Sequence, residues 1–165
     1  MEPYYHARPW SAALAGKRVL VVHPFRHTIL AQYEKRTQLF PGKDVLPELA
    51  SLTVIQAVQG LGGQDTGYAD WFDALTEMER RMDAADYDVA IVGAGAYSLP
   101  LAAHARDTGH AAIQMSGATQ LLFGIKGKRW DDHPVISKLY NPAWVRPDET
   151  EGISNKEKVE GGSYW

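Results

Sequence analysis

Two short runs, "KRVLVVHP" at 17–24 and "YDVAIVGAG" at 87–95, constrain this chain more than any other feature. Their apolar residues are continuous rather than alternating, and valine recurs in both. A strand that is apolar on both sides is buried on both sides, which is the condition of a parallel sheet covered by helices. "LTVIQAV" (52–58) and "HAAIQMSG" (110–117) supply two further strands. The segments between them carry a helical period. "TILAQYEKR" (28–36) places Ile29, Leu30 and Tyr33 on one face behind Thr28 as an N-cap. "DWFDALTEMERRMDA" (70–84) is the clearest helix. Asp70 caps it, Asp73 offsets its dipole, and Trp71, Leu75, Met78 and Met82 form a core-facing stripe opposite Glu77, Arg80 and Arg81. "YSLPLAAHARDTG" is a third helix, with Pro100 in its first turn and Gly109 as its left-handed C-cap. "ATQLLFGI" (118–125) is a short helical or turning segment. Strand and helix alternate, so the fold class is α/β: a Rossmann-like three-layer domain with a mostly parallel sheet and right-handed crossovers. It spans residues 1–140, with 1–16 as a lead-in and 141–165 as a polar tail.

With 165 residues and 45% hydrophobic content the chain can bury a real core. A formal net charge of −3 argues against a general nucleic-acid binder, so any anion site must be a local basic cluster. The absence of cysteine excludes disulfides, zinc–thiolate sites and a thiol nucleophile, and fits a cytoplasmic location. The start "MEPYYHARPWSAALAGKR" lacks the pattern of a signal peptide, and no run approaches the roughly 18 apolar residues of a spanning helix. A soluble protein is expected, compatible with an acceptor held near a membrane. Tyr4, Tyr5 and Trp10 read as exposed aromatics that suit a missing segment or a neighbouring subunit of a homo-oligomer. "DETEGISNKEKVEGG" has almost nothing to bury and reads as coil, with Tyr164 and Trp165 pinning the end back.

Ligands of open parallel sheets bind beyond the carboxyl ends of the strands. Here that edge gathers "HPFRH" (23–27), "GAGAYS" (93–98) and "MSGAT" (115–119). In "GAGAYS", Gly93 and Gly95 permit a tight turn, and Tyr97 and Ser98 lead into a helix whose first amides suit a phosphate. A dinucleotide fits less well than a mononucleotide or nucleotide sugar, because Ser98 stands where a third glycine would be and no acid follows the next strand. Arg26 offers a bidentate anion contact. His23 offers proton exchange near neutral pH, or simply closes its strand. "GIKGKRW" (124–130) packs Lys126, Lys128 and Arg129 between glycines. It is either a solvated basic turn or a cradle that stabilises a departing diphosphate. Asp131 and Asp132 in "WDDH" suit acid–base work, a magnesium ion accompanying a nucleotide sugar, or pairing with the lysines.

The stretch "VGAGAYSLPLAAHARDTGHAAIQMSGATQLLFGIKGKRWDDHP", with "EPYYHARPWS", "VLVVHPF", "QYEKR" and "KVEGGSYW", resembles an uncharacterised bacterial family found among surface-polysaccharide biosynthesis genes. The resemblance covers nearly the whole chain. Relatives are longer at the N-terminus, so this chain looks like their C-terminal part. More distantly, the unit at 87–117 resembles the D-type glycosyltransferase fold, whose members transfer a sugar from a nucleotide donor. Those members carry an Asp-x-Glu motif where this chain reads "GATQLLFG". The resemblance implies a glycosyltransferase-like protein binding a nucleotide-sugar diphosphate, with Gly93, Gly95 and Tyr97 shaping the donor pocket. Lys126, Lys128 and Arg129 would hold phosphate charge, and His23, Asp131 or Asp132 would act as acid or base. The missing acids leave two alternatives: a non-catalytic nucleotide- or glycan-binding module, and a sugar-phosphate hydrolase or isomerase using His23.

Overall fold

The computed structural model describes residues 2–60, 63–158 and 160–165. Strands β1 (Arg18–His23), β2 (Ser51–Gln56), β3 (Val89–Val92) and β4 (Ala111–Gln114) form one all-parallel sheet in the order β2-β1-β3-β4. Helices α1 (Arg26–Tyr33), α2 (Arg36–Leu39), α3 (Trp71–Asp83), α4 (Ser98–Asp107) and α5 (Ala118–Leu122) connect or follow them. The fold is therefore the α/β, parallel-sheet architecture that the continuous strands imply. No helix among the described residues is long and apolar enough to cross a membrane.

Side chains of a strand alternate between faces, and here both faces are apolar. Val19, Val21 and Ile91 pack with Ile29 of α1, Leu121 and Leu122 of α5, and Trp144. Leu20, Val22, Ala90 and Val92 pack on the other side with Met78 and Met82 of α3 and Leu101 and Ala105 of α4. In α3, Asp70 accepts hydrogen bonds from the amides of Phe72 (2.8 Å) and Asp73 (2.9 Å), which makes it the N-cap its sequence implies. Trp71 departs from its stripe: it is 37% exposed and stacks on Tyr97, because its position at the start of α3 overhangs the sheet edge.

Two expectations about the chain's ends are overturned. Tyr4 is not an exposed aromatic but is 1% exposed and stacked on Phe40, and Trp10 packs partly buried against the same core. The described residues of 148–162 do bury side chains. Glu151 and Ile153 are inaccessible, and the segment folds into 3₁₀ turns that lie across the carboxyl edge of the sheet. We call residues 146–165 the strap.

Candidate functional site

The chain runs from β1 to β2 on one side and crosses to β3 on the other, so the connections diverge between β1 and β3. That divergence is the switch point at which doubly wound sheets open a crevice beyond their carboxyl ends. β1 ends at His23. Its Nδ1 accepts the Phe25 amide at 3.1 Å, which leaves the proton on Nε2. The ring is buried, and burial lowers its pKa to about 3, so it is a neutral hydrogen-bond donor near neutral pH.

β3 ends in the turn Gly93–Ala94–Gly95. Gly95 adopts φ +58°, a left-handed conformation that a side chain would strain. Gly93 serves close approach instead: a Cβ there would lie 2.6 Å from Thr119 Oγ1 and 2.8 Å from the Ser116 carbonyl. The β3 and β4 turns therefore lie flush against each other. Ser98 Oγ accepts the Ala94 amide at 2.7 Å and locks the turn from beneath. Ser116, in the β4–α5 turn, holds φ +48°, unusual for a residue with a side chain.

The crevice has two lobes. The inner lobe, about 240 Å³, lies between His23, Phe25, Ser116, Gln120 and the strap residues Tyr164 and Trp165. The outer lobe, also about 240 Å³, lies between Val58, Ala96, Trp71 and Tyr97. Pro24, Gln59 and Gly95 line both, so the lobes adjoin. Trp71 and Tyr97 are parallel, 5.0 Å apart with 5° between their planes. No Asp, Glu, Lys or Arg among the described residues lines either lobe. A more polar hollow of about 290 Å³ lies beyond β2, but its Arg81 is already held by Glu77 and the Tyr68 hydroxyl.

The crevice thus brings together His23, Gly93, Gly95 and Tyr97 of the residues expected from sequence, with Ser98 supporting the turn. It does not bring in the cations. Arg26 turns away to donate to the Val54 carbonyl at 3.0 Å. Lys126 lies over the Tyr140 ring at 5.3 Å. Lys128 donates to the Gly161 carbonyl at 3.2 Å, and Arg129 pairs with Glu160 at 2.6 Å and covers Tyr164 at 4.5 Å. The "GIKGKRW" segment clasps the strap. Its Gly127 is flush against Trp130, where a Cβ would meet the ring at 2.8 Å. Asp131 is not a free acid, since Arg146 holds both of its oxygens at 2.8 and 2.7 Å. Asp132 is exposed and lines neither lobe. Among the described residues no group of three or more His, Asp or Glu is placed to hold a metal.

Glu151 was not foreseen. Its carboxylate accepts the amides of His27 and Thr28 and the Thr28 hydroxyl. It thereby caps α1 from the far end of the chain, where an anion would otherwise sit. Thr28 is thus no N-cap but lies inside α1. The residue at the cap position, Phe25, has no side-chain acceptor. Because Thr28 reads as the cap in the sequence, nothing there marked this helix start as needing an outside partner. Gln120 and Trp165 were also missed, because an amide in a short apolar helix and a terminal aromatic carry no spacing that marks them.

Fold and crevice together define a doubly wound α/β domain with an uncharged, partly aromatic cleft at its switch point. No protein-family model, curated protein or solved structure was found to match the chain.

Proposed function

We propose that this chain is a binding module for a sugar-bearing ligand, a glycan or the sugar and nucleoside portion of a nucleotide sugar, in surface-polysaccharide synthesis. One observation carries the reading: two adjoining lobes at the switch point are lined by neutral side chains and by the stacked Trp71–Tyr97 pair. A half-exposed indole beside neutral hydrogen-bonding groups suits a ring with an apolar face and a polar edge. The geometry favours binding over transfer. A histidine with its pKa lowered to about 3 is a poor proton acceptor at neutral pH, and Asp131 is tied to Arg146. Ring stacking and neutral hydrogen bonds, rather than the lysines and Arg129, would supply the affinity.

Saturation-transfer NMR against methyl glycosides, nucleosides, nucleotide sugars and sugar phosphates tests this. The expected result is ring-proton signal from glycosides or nucleosides that Trp71→Ala abolishes. Signal confined to phosphate-bearing compounds and indifferent to Trp71→Ala would contradict it.

A further inference from the structure

The inner lobe contains hydrogen-bonding groups that the folded chain leaves without partners, and their polarity is mixed. His23 Nδ1 accepts from Phe25, so Nε2 carries a proton, and that N–H has no partner among the described residues. Gln120 is wholly buried. Its amide orientation is fixed because Nε2 donates to two carbonyls, Lys126 at 2.8 Å and Tyr164 at 2.9 Å. Its Oε1 is therefore a committed acceptor, and it has no partner. The Trp165 Nε1–H, on the strap wall of the lobe, is likewise buried without one, as is Thr119 Oγ1 behind the lobe, packed beneath Gly93. Native interiors seldom leave such groups unmatched, and each one calls for an explanation.

We infer that the inner lobe is a recognition pocket for sugar hydroxyls, with His23 Nε2–H donating to the ligand, Gln120 Oε1 accepting from it, and Gln120 setting specificity. This rests on the reading of the cleft given above and names the group that reads the ring. A hydroxyl donates and accepts at once, so sugar hydroxyls meet the N–H donors and the Gln120 acceptor of the lobe together. An ionised phosphate only accepts and would leave Gln120 Oε1 unmatched. A cation only donates and would leave the His23 N–H unmatched. The volume agrees: about 240 Å³ is below the roughly 300 Å³ at which sites for drug-sized ligands begin, so the pocket takes one ring. Ser116, held at φ +48°, lines the same lobe, and strained residues often sit at ligand sites.

The test is calorimetric competition on the native chain with methyl glycosides, their monodeoxy analogues, the UDP- and GDP-linked counterparts, and inorganic phosphate. The inference expects at least one position at which removing the hydroxyl weakens binding about tenfold or more, in the glycoside series, the nucleotide-linked series or both. It expects phosphate not to compete. Gln120→Met should bind parent and deoxy compounds alike. Because that substitution also removes two bonds to backbone carbonyls, one of them to the strap, the deoxy series on the native chain decides the matter independently. Equal binding of parent and deoxy compounds by the native chain, or displacement by phosphate, overturns the hydroxyl assignment. If glycosides still depend on Trp71, the wider reading of the cleft survives that result. If no glycoside or nucleotide sugar binds, both fail.

Discussion

The two walls of the cleft are built by different physics. The sheet wall ends in turns whose positions follow from buried apolar strands: Leu20, Val22, Ile91 and Val92 are all essentially inaccessible. The strap wall has few such residues. It is held mainly by polar attachments, among them Glu151 on the start of α1, Arg146 on Asp131, Arg129 on Glu160, Lys128 on the Gly161 carbonyl, Gln120 on the Tyr164 carbonyl, and the Lys128 and Arg129 amides on the Trp165 and Ser163 carbonyls. The first wall is rigid because its atoms are packed on every side. The second is fixed only as long as each attachment holds, and it still supplies Tyr164 and Trp165 to the inner lobe. A ligand entering that lobe meets one wall set by apolar packing and one set largely by polar attachments.

The largest expected effect breaks the sheet side. Leu20→Ala leaves a hole in a fully buried position and should cost about 3 kcal/mol in urea denaturation. All spectroscopic probes should report a single transition. Mild acid, between about pH 6.5 and 4.5, should act next. The pKa of His23 in the folded chain is lowered by burial to about 3, whereas an unfolded histidine takes its proton near 6.5. Its contribution is complete above pH about 6.5 and is lost as pH falls towards about 3, at roughly 1 kcal/mol per pH unit. Its onset lies above the usual carboxylate range. His23→Asn, whose side-chain oxygen can still accept the Phe25 amide, should flatten the stability profile between about pH 6.5 and 4.5.

Glu151→Ala breaks the strap side. It orphans the His27 and Thr28 amides and the Thr28 hydroxyl at once, and should cost about 2 kcal/mol. Its signature should differ from that of Leu20→Ala: trypsin should cut after Lys156 or Lys158 while the sheet keeps its circular dichroism. If the strap resists proteolysis in Glu151→Ala, the distinction between the walls is wrong. Gly93→Ala sharpens the sheet side, since the new methyl would meet the Ser116 carbonyl at 2.8 Å. A cost of about 1 kcal/mol is expected, together with a narrowed inner lobe. Arg129→Ala should have the smallest effect, about 0.5 kcal/mol by thermal melting, because its pairing with Glu160 is largely exposed.

What could be read from the sequence follows the same division. Apolar continuity identified four strands, and periodicity with Asp70 identified α3, because both are local records of burial. The glycine turn at 93–95 was legible because a parallel strand followed by two glycines has few other uses. Strap attachments are not recorded locally. Lys126, Lys128 and Arg129 look the same whether they face a diphosphate or Tyr140, Gly161 and Glu160, and only the tertiary path of the strap decides between them. Asp131 was open to the same ambiguity, resolved by Arg146. Glu151 sits in a run so polar that burial seemed excluded. Its burial depends on the unmet amides of a helix more than a hundred residues away.

The central claim, that the cleft at the switch point recognises its ligand without charge, is tested most directly by the salt dependence of binding. Charge–charge attraction at a partly exposed site weakens as salt screens it, whereas stacking and neutral hydrogen bonds do not. Calorimetric titration of a bound glycoside or nucleotide sugar at low and at high salt should give the same affinity within about twofold. An affinity that falls tenfold or more as salt rises would mean that cations hold the ligand, and would contradict the account.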